Sequence, residues 1–154
     1  MTEREILQII AAFTGSLGFC VVFHVRRKRT FFAALGGGLC WAVYILMGFW
    51  VQSDVPRYFV ASLVVTVYAE VLARILKSPA TLFLVIGTLP MIPGGGLYRT
   101  MQNFILGDYA ASSREGLMTV MLAVAIAAGM LLPSSVFHVV QKICQRKCSA
   151  GDQH

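Results

Sequence analysis

Apolar residues in this chain come in long, nearly uninterrupted runs rather than at alternating positions. The runs over roughly 6–25, 31–51, 57–76 and 116–140 each reach the ~20 residues that a helix needs to cross a ~30 Å hydrocarbon core. Polar knots separate them: "RRKR" (26–29), then Gln52-Ser53-Asp54, then Lys77-Ser78-Pro79. Helix-start chemistry falls where the runs begin. Thr2-x-x-Glu5 and Ser112-x-x-Glu115 fit capping boxes, Pro56 suits a first helical turn, and Ser78-Pro79 reads as an N-cap followed by a proline at N1. Pro133 is expected to kink the last span.

A further run begins at residue 80 and meets "GTLPMIPGGGLYRTM" (87–101). Pro90 and Pro93 each remove a backbone donor and crowd the preceding turn, and Gly94, Gly95 and Gly96 bring no side chain to hold a helix together. Two readings stay open. In one, a fourth span over roughly 80–97 is broken at membrane depth, which is tolerated only where protein or water surrounds the break. Such a break exposes N–H and C=O groups and a dipole end, the means by which transporters hold small polar solutes and ions. In the other, the run ends at Ile92 and the glycines form a surface turn. Beyond it, Leu97, Met101, Phe104 and Ile105 share one helical face with Arg99, Gln102 and Asn103 off it, which predicts a short interfacial helix over roughly 98–106. The pattern therefore predicts an all-α integral membrane protein. It is a single domain (1–154) with a bundle of about five transmembrane helices, the fourth broken at a Pro/Gly motif, and a basic tail over 141–154.

Composition agrees: 57% of the residues are hydrophobic and only 13% charged, about half the charge of an ordinary soluble domain, with a mean hydropathy of +0.73. "MTERE" is not the basic leader of a signal peptide, and "RRKR" follows the first run where a cleavage site would stand, so that run is expected to be a retained span. The net charge of +6 reads as a topology signal. If the fourth run crosses fully, Arg26–Arg29, Arg74, Lys77, Lys142, Arg146 and Lys147 share one side, against Arg4, Arg57, Arg99 and Arg114 on the other. If it turns back, the basic tail joins the poorer side. The first arrangement puts the N-terminus outside and the C-terminus in the cytoplasm. "RRKR" then serves as an orientation lock that also touches anionic membrane lipid, and no nucleic acid is implied.

Few residues could carry chemistry. Glu70 falls seven residues before Lys77, about 10 Å from the cytoplasmic end of the third helix, where an ionised carboxylate must face a cavity or a partner or be protonated. Arg74 and Lys77 follow at one-turn steps. The three form either a proton-coupling or solute-contacting group, or a static Glu70–Arg74 pair with both cations snorkelling. The tyrosines and tryptophans (Trp41, Tyr44, Trp50, Tyr58, Tyr98) read as interfacial anchors and packing. Small residues at four-residue spacing (Ala11/Gly15, Ala34/Gly38, Ala123/Ala127, Ala125/Gly129) suit close helix approach. Cys20 and Cys40 lie inside spans. Cys144 and Cys148, with His138 and His154 near, are looser than a closed zinc site requires, and all four read as reduced thiols. "TGSLG" (14–18) lacks the order of an intramembrane serine protease, and no His-Glu-x-x-His, P-loop or dinucleotide fingerprint occurs. The sequence therefore points to neither an enzyme nor a metal or other cofactor.

The stretch "AEVLARILKSPATLFLVIGTLPMIPGGGLYRTM" (69–101) resembles the signature of the threonine/serine exporter family, in particular its smaller C-terminal-type domain. The resemblance rests on Ala69-Glu70, Arg74, Lys77, Ser78-Pro79, Pro90-x-x-Pro93, Gly94-Gly95-Gly96 and Tyr98. It implies the small subunit of a split exporter in a bacterial cytoplasmic (inner) membrane. The partner would be a larger membrane subunit carrying the family's N-terminal-type domain. Export would use the proton gradient, and the solute would be a small polar metabolite, threonine and serine in one branch or a dicarboxylate such as succinate in another. The alternative is a non-transporting scaffold or assembly subunit beside a partner that alone holds the solute path.

Overall fold

A computed structural model describes residues 3–25 and 27–151, without the side chains of 27, 28, 141 and 144–151. Thr2 of the first capping box, the Cys144 and Cys148 thiols and His154 lie outside the described residues. Within them the chain is helical and has no strand: α1 (Glu3–Val22), α2 (Arg27–Gly48), α3 (Asp54–Ile75), α4 (Ala80–Thr88), a 3-10 turn (Leu89–Met91), α5 (Gly94–Ile105) and α6 (Tyr109–Gly151). Four helices are long and apolar enough to cross a membrane, and the bent pair 80–91 plus 94–105, taken as one span, would make a fifth.

Three helices end alike. His24, Lys77 and Gly107 adopt positive φ, and the following N–H reaches back in each case: Val25 to Cys20 O, Ser78 to Ala73 O and Asp108 to Asn103 O. These are Schellman closures, two of them built on residues that carry a Cβ. The Ser78 hydroxyl donates to Leu76 O and caps nothing, so Pro79 rather than Ser78 stands at the start of α4. The last helix begins earlier than its capping-box pattern predicts. Asp108 caps it, accepting from the Ala111 N–H at 3.0 Å, while the Ser112 hydroxyl is spent on Thr100 O across the hairpin.

The centre of the bundle is α3. Its contacts fix the course of the chain. Val55, Pro56 and Phe59 meet Val120, Met121 and Val124 of α6, Phe59 and Ser62 meet Gly129, and Arg74 stacks on Phe137. The two helices therefore run parallel. Residues 76–108 must then return from one end of the bundle to the other, which excludes a segment that turns back on its own side. That return passes Phe83 and Ile86 beside Ala69 and Leu72, Gly87 beside Val65, and Met91 beside Ala61 and Cys40. The break thus begins about one turn past the middle of α3 and ends near its start. The chain then bends by 47° into α5, which packs along the first turns of α6. This hairpin extends about 16 Å beyond the start of α3 at 1.5 Å per residue. The predicted amphipathic face of α5 is present, with Leu97, Met101, Phe104 and Ile105 all exposed. The helix starts at Gly94, because the glycines form its first turn.

Of the small-residue pairs, Ala34/Gly38 and Ala125/Gly129 face helix contacts, whereas Gly15 meets open space and Ala123 and Ala127 are exposed. The tightest approach of α4 is at Gly87, where a Cβ would lie 2.8 Å from Val65 Cγ2 and 3.6 Å from the Gly36 backbone. Gly87→Val is expected to cost about 1–3 kcal/mol through overpacking. Thermal melting of the purified chain in detergent measures it, and an unchanged midpoint would mean that α4 does not need so close an approach to α3 and α2.

Candidate functional site: two clefts at opposite ends of α3

The first cleft, about 510 Å³, opens between the end of α3, the start of α4 and the late part of α6; Glu70, Arg74, Lys77, Ser78, Thr81, Ser134 and His138 supply its polar lining. Glu70 is held deep, with its side chain 12% exposed, and accepts from Arg74 Nη1 at 2.9 Å. The same Nη1 donates to the Glu70 carbonyl, and the guanidinium lies 4.5 Å from the centre of the Phe137 ring. Arg74 is thus held by three contacts, and one Glu70 oxygen remains outside the pair. Sequence reasoning left a static pair and a cavity-facing carboxylate as alternatives; in the structure the pair exists and also lines a cavity.

Lys77 sits in this cleft at the left-handed C′ position, with φ of 47°. That position normally takes glycine, and a Cβ there costs roughly 1–2 kcal/mol. Lys77→Gly is accordingly expected to raise the thermal stability of the isolated chain by about 1 kcal/mol while lowering export, since the cleft loses a cation. Parallel melting and export measurements check this, and export at the wild-type level would leave Lys77 a cap residue alone.

The second cleft, about 500 Å³, lies at the break. Trp41, Tyr44, Asp54 and Tyr58 form one wall, Pro90, Pro93, Gly95, Gly96 and Arg99 another, and Glu115 and Thr119 of α6 a third. Pro93 (φ −77°, ψ 53°) is the centre of an inverse γ-turn in which the Gly94 N–H donates to Ile92 O at 2.7 Å. Leu97 N–H takes Pro93 O, so the N–H groups of Gly95 and Gly96 are the first-turn donors left without a backbone acceptor. Arg99 and Glu115 pair across the hairpin at 3.6 Å. Opposite them, Asp54 accepts from the Tyr44 hydroxyl at 3.0 Å and from Arg57 at 3.1 Å. Arg57 also lies 4.5 Å from the centre of the Tyr44 ring. Its Nε is buried and is, among the described residues, the one buried side-chain polar atom without a hydrogen bond.

The structure therefore divides the sequence candidates between two places. Glu70, Arg74 and Lys77 come together in the first cleft. Pro90, Pro93, Gly95 and Gly96 come together in the second. Gly94 faces open space, Tyr98 is exposed, and neither lines a cleft. Sequence reasoning missed the Asp54–Arg57–Tyr44 cluster, having read Asp54 as a helix start, Tyr44 as a membrane anchor and Arg57 as a charge that bears on topology. It also missed a row on α3: Asp54, Tyr58, Ser62, Thr66, Glu70 and Arg74 follow one another at four-residue steps. That row drifts by about 40° per step on a 3.6-residue helix and so winds roughly half-way round α3, which is why its two ends line clefts with different neighbours. The four-residue spacing was the available signal.

The family model described as "Threonine/Serine exporter, ThrE" matches residues 8–136, which takes in all or part of every helix and the lining of both clefts except His138. The chain belongs to the threonine/serine exporter family. No curated protein and no solved structure matches it. Threonine/serine exporter membership and the apolar helices make this a multi-pass membrane protein, and the family points to transport.

Proposed function

We propose that the chain is a subunit of a secondary exporter that moves a small polar metabolite out of the cytoplasm, with Glu70 as the group that exchanges a proton during transport. One observation carries this: among the described residues a single carboxylate sits deep in the spans, on the wall of a 510 Å³ cleft, beside Arg74 and Lys77. An acid at membrane depth is costly even when paired, and such residues mark solute and proton pathways. The cleft at Glu70 is the cytoplasmic entrance by the excess of lysine and arginine at that end, and the cleft at the break is the exit. Two cations and the uncapped start of α4 suit a carboxylate-bearing solute at the entrance. At the exit, the free N–H groups of Gly95 and Gly96 and the Arg99 guanidinium suit the carboxylate, and Asp54 and Glu115 suit an ammonium group. An amino acid such as threonine or serine meets both sets, whereas a dicarboxylate such as succinate meets the first better than the second.

α1 buries only Ser16 and Cys20 in its own bundle, and its exposed apolar length suits a larger membrane partner as well as lipid. Export of threonine, serine and succinate from cells carrying or lacking this gene tests the reading and separates the solutes. A solute whose export depends on the chain, and on the pH difference across the membrane, supports it. Full export by the partner without this chain would leave it a scaffold.

A further inference from the structure

We propose that α6 is a hinged gate, bending at Gly129–Pro133 and closing on Ser62 of α3, so that the two clefts open in turn. This rests on the transporter reading above and adds the moving part.

One helix serves both clefts. Glu115, Met118, Thr119 and Leu122 of α6 line the cleft at the break, and Ser134 and His138 of the same helix line the cleft at Glu70. Pro133 lies inside that helix, between the two sets. Proline has no N–H, so the Gly129 carbonyl lacks the donor that every regular turn would give it, and the pyrrolidine ring crowds the same carbonyl. The ladder of α6 is interrupted at one rung, and that rung separates the half that walls one cleft from the half that walls the other.

The same residue marks the closest approach to α3. A Cβ at Gly129 would run into the Ser62 hydroxyl and lie 2.6 Å from Phe59 O, so backbone rests on backbone there. Ser62 and Thr66 are fully buried and stand between Tyr58, on one cleft, and Glu70, on the other. Both hydroxyls donate within α3, Ser62 to Phe59 O at 2.8 Å and Thr66 to Ser62 O at 2.7 Å. The contact between the helices at this point is thus small, close-fitting and free of side-chain hydrogen bonds from Ser62 and Thr66 to α6. It excludes a solute when closed and breaks no such bond when it parts. Once parted, it exposes two hydroxyls on the row that already joins the clefts. With the ladder interrupted at this rung the two halves of α6 swing separately: the outer half moving toward α3 narrows the cleft at the break, while the inner half moving away parts the contact at Ser62 and widens the cleft at Glu70, and the reverse pair of motions does the opposite.

The test uses the full chain in its host membrane, where any partner subunit is present, with threonine, serine and succinate as probes. Pro133→Ala restores the missing N–H. It is expected to leave membrane level and thermal stability equal or higher, and to slow export at least tenfold with the half-saturating concentration within twofold. Spin labels in a cysteine-free background report the motion directly, with Trp50 paired with Leu117 at one end and Ile75 with Val139 at the other. All four are exposed. The two distances should change in opposite senses when the exported solute is added, and Pro133→Ala should hold each to one narrow distribution. Wild-type export by Pro133→Ala, or both distances moving together, overturns the hinge. If Glu70→Gln stops export while Pro133→Ala does not, the hinge alone fails. If neither variant changes export, the transporter reading of these clefts fails with it.

Discussion

Glu70→Gln should abolish most export, by tenfold or more, while the protein still folds and inserts. The carboxamide has the shape of the carboxylate, and Arg74 keeps two of its three holds, the carbonyl of residue 70 and the face of Phe137. What is lost is the charged contact at 2.9 Å between a side chain 12% exposed and one 35% exposed. A partly screened i,i+4 pair of this kind is worth about 1 kcal/mol, too little to unfold a bundle whose core is elsewhere. A function confined to stability would therefore show a melting shift of a few degrees and nearly normal export at saturating protein level.

A group that must lose and regain a proton in each cycle behaves otherwise, because Gln is fixed in the neutral form. Export measured at several external pH values separates the two cases. The wild type should respond to the pH difference and the variant should not. Arg74→Gln supplies the second corner of a cycle. If Arg74 acts by holding Glu70, the double variant should be no worse than Glu70→Gln alone. Normal export by Glu70→Gln with an unchanged pH response would remove Glu70 from the mechanism.

The spans were legible because length and hydropathy are one-dimensional properties. Runs over 6–25, 31–51 and 57–76 became α1, α2 and α3 with ends moved by a few residues. What the chain hid is what depends on neighbours. Ser112 looks like an N-cap in sequence, yet its hydroxyl bonds Thr100 O on another helix, and Asp108 caps α6 instead. Asp54, Tyr44 and Arg57 look like a helix start, an anchor and a topology charge until α2 and α3 bring them together. The row on α3 was obscured because Ser62 and Thr66 bond back to their own helix. A hydroxyl so placed costs little in an apolar run and therefore looks incidental. Glu70 stood out for the opposite reason: no bond to its own backbone can hide a carboxylate.

The break offers the second large effect, because two adjacent glycines should respond differently. At Gly96 a Cβ would run into Thr119 Oγ1, with Thr119 Cβ and Cγ2 at 3.3 and 3.4 Å. Thr119 is buried, with its hydroxyl on Glu115 O, so it has nowhere to retreat. Gly96→Leu should therefore push α5 off α6, strain the Arg99–Glu115 pair and destabilise the chain by about 3 kcal/mol, at the upper end for overpacking, with less protein reaching the membrane. At Gly95 the nearest atom is the Arg99 guanidinium at 4.0 Å, the far end of an exposed side chain that can swing away. Gly95→Leu should leave level and melting close to wild type, yet its side chain fills the cleft beside the free N–H groups and should cut export tenfold or more. Gly95→Ala, which adds one methyl where there is room, should fall between Gly95→Leu and wild type in export and match both in stability. If Gly95→Leu exports normally, the cleft at the break is not on the solute path. If Gly95→Leu and Gly96→Leu are equally unstable, the first turn of α5 is packing throughout, and the glycines are there to bring two helices together rather than to leave a space between them.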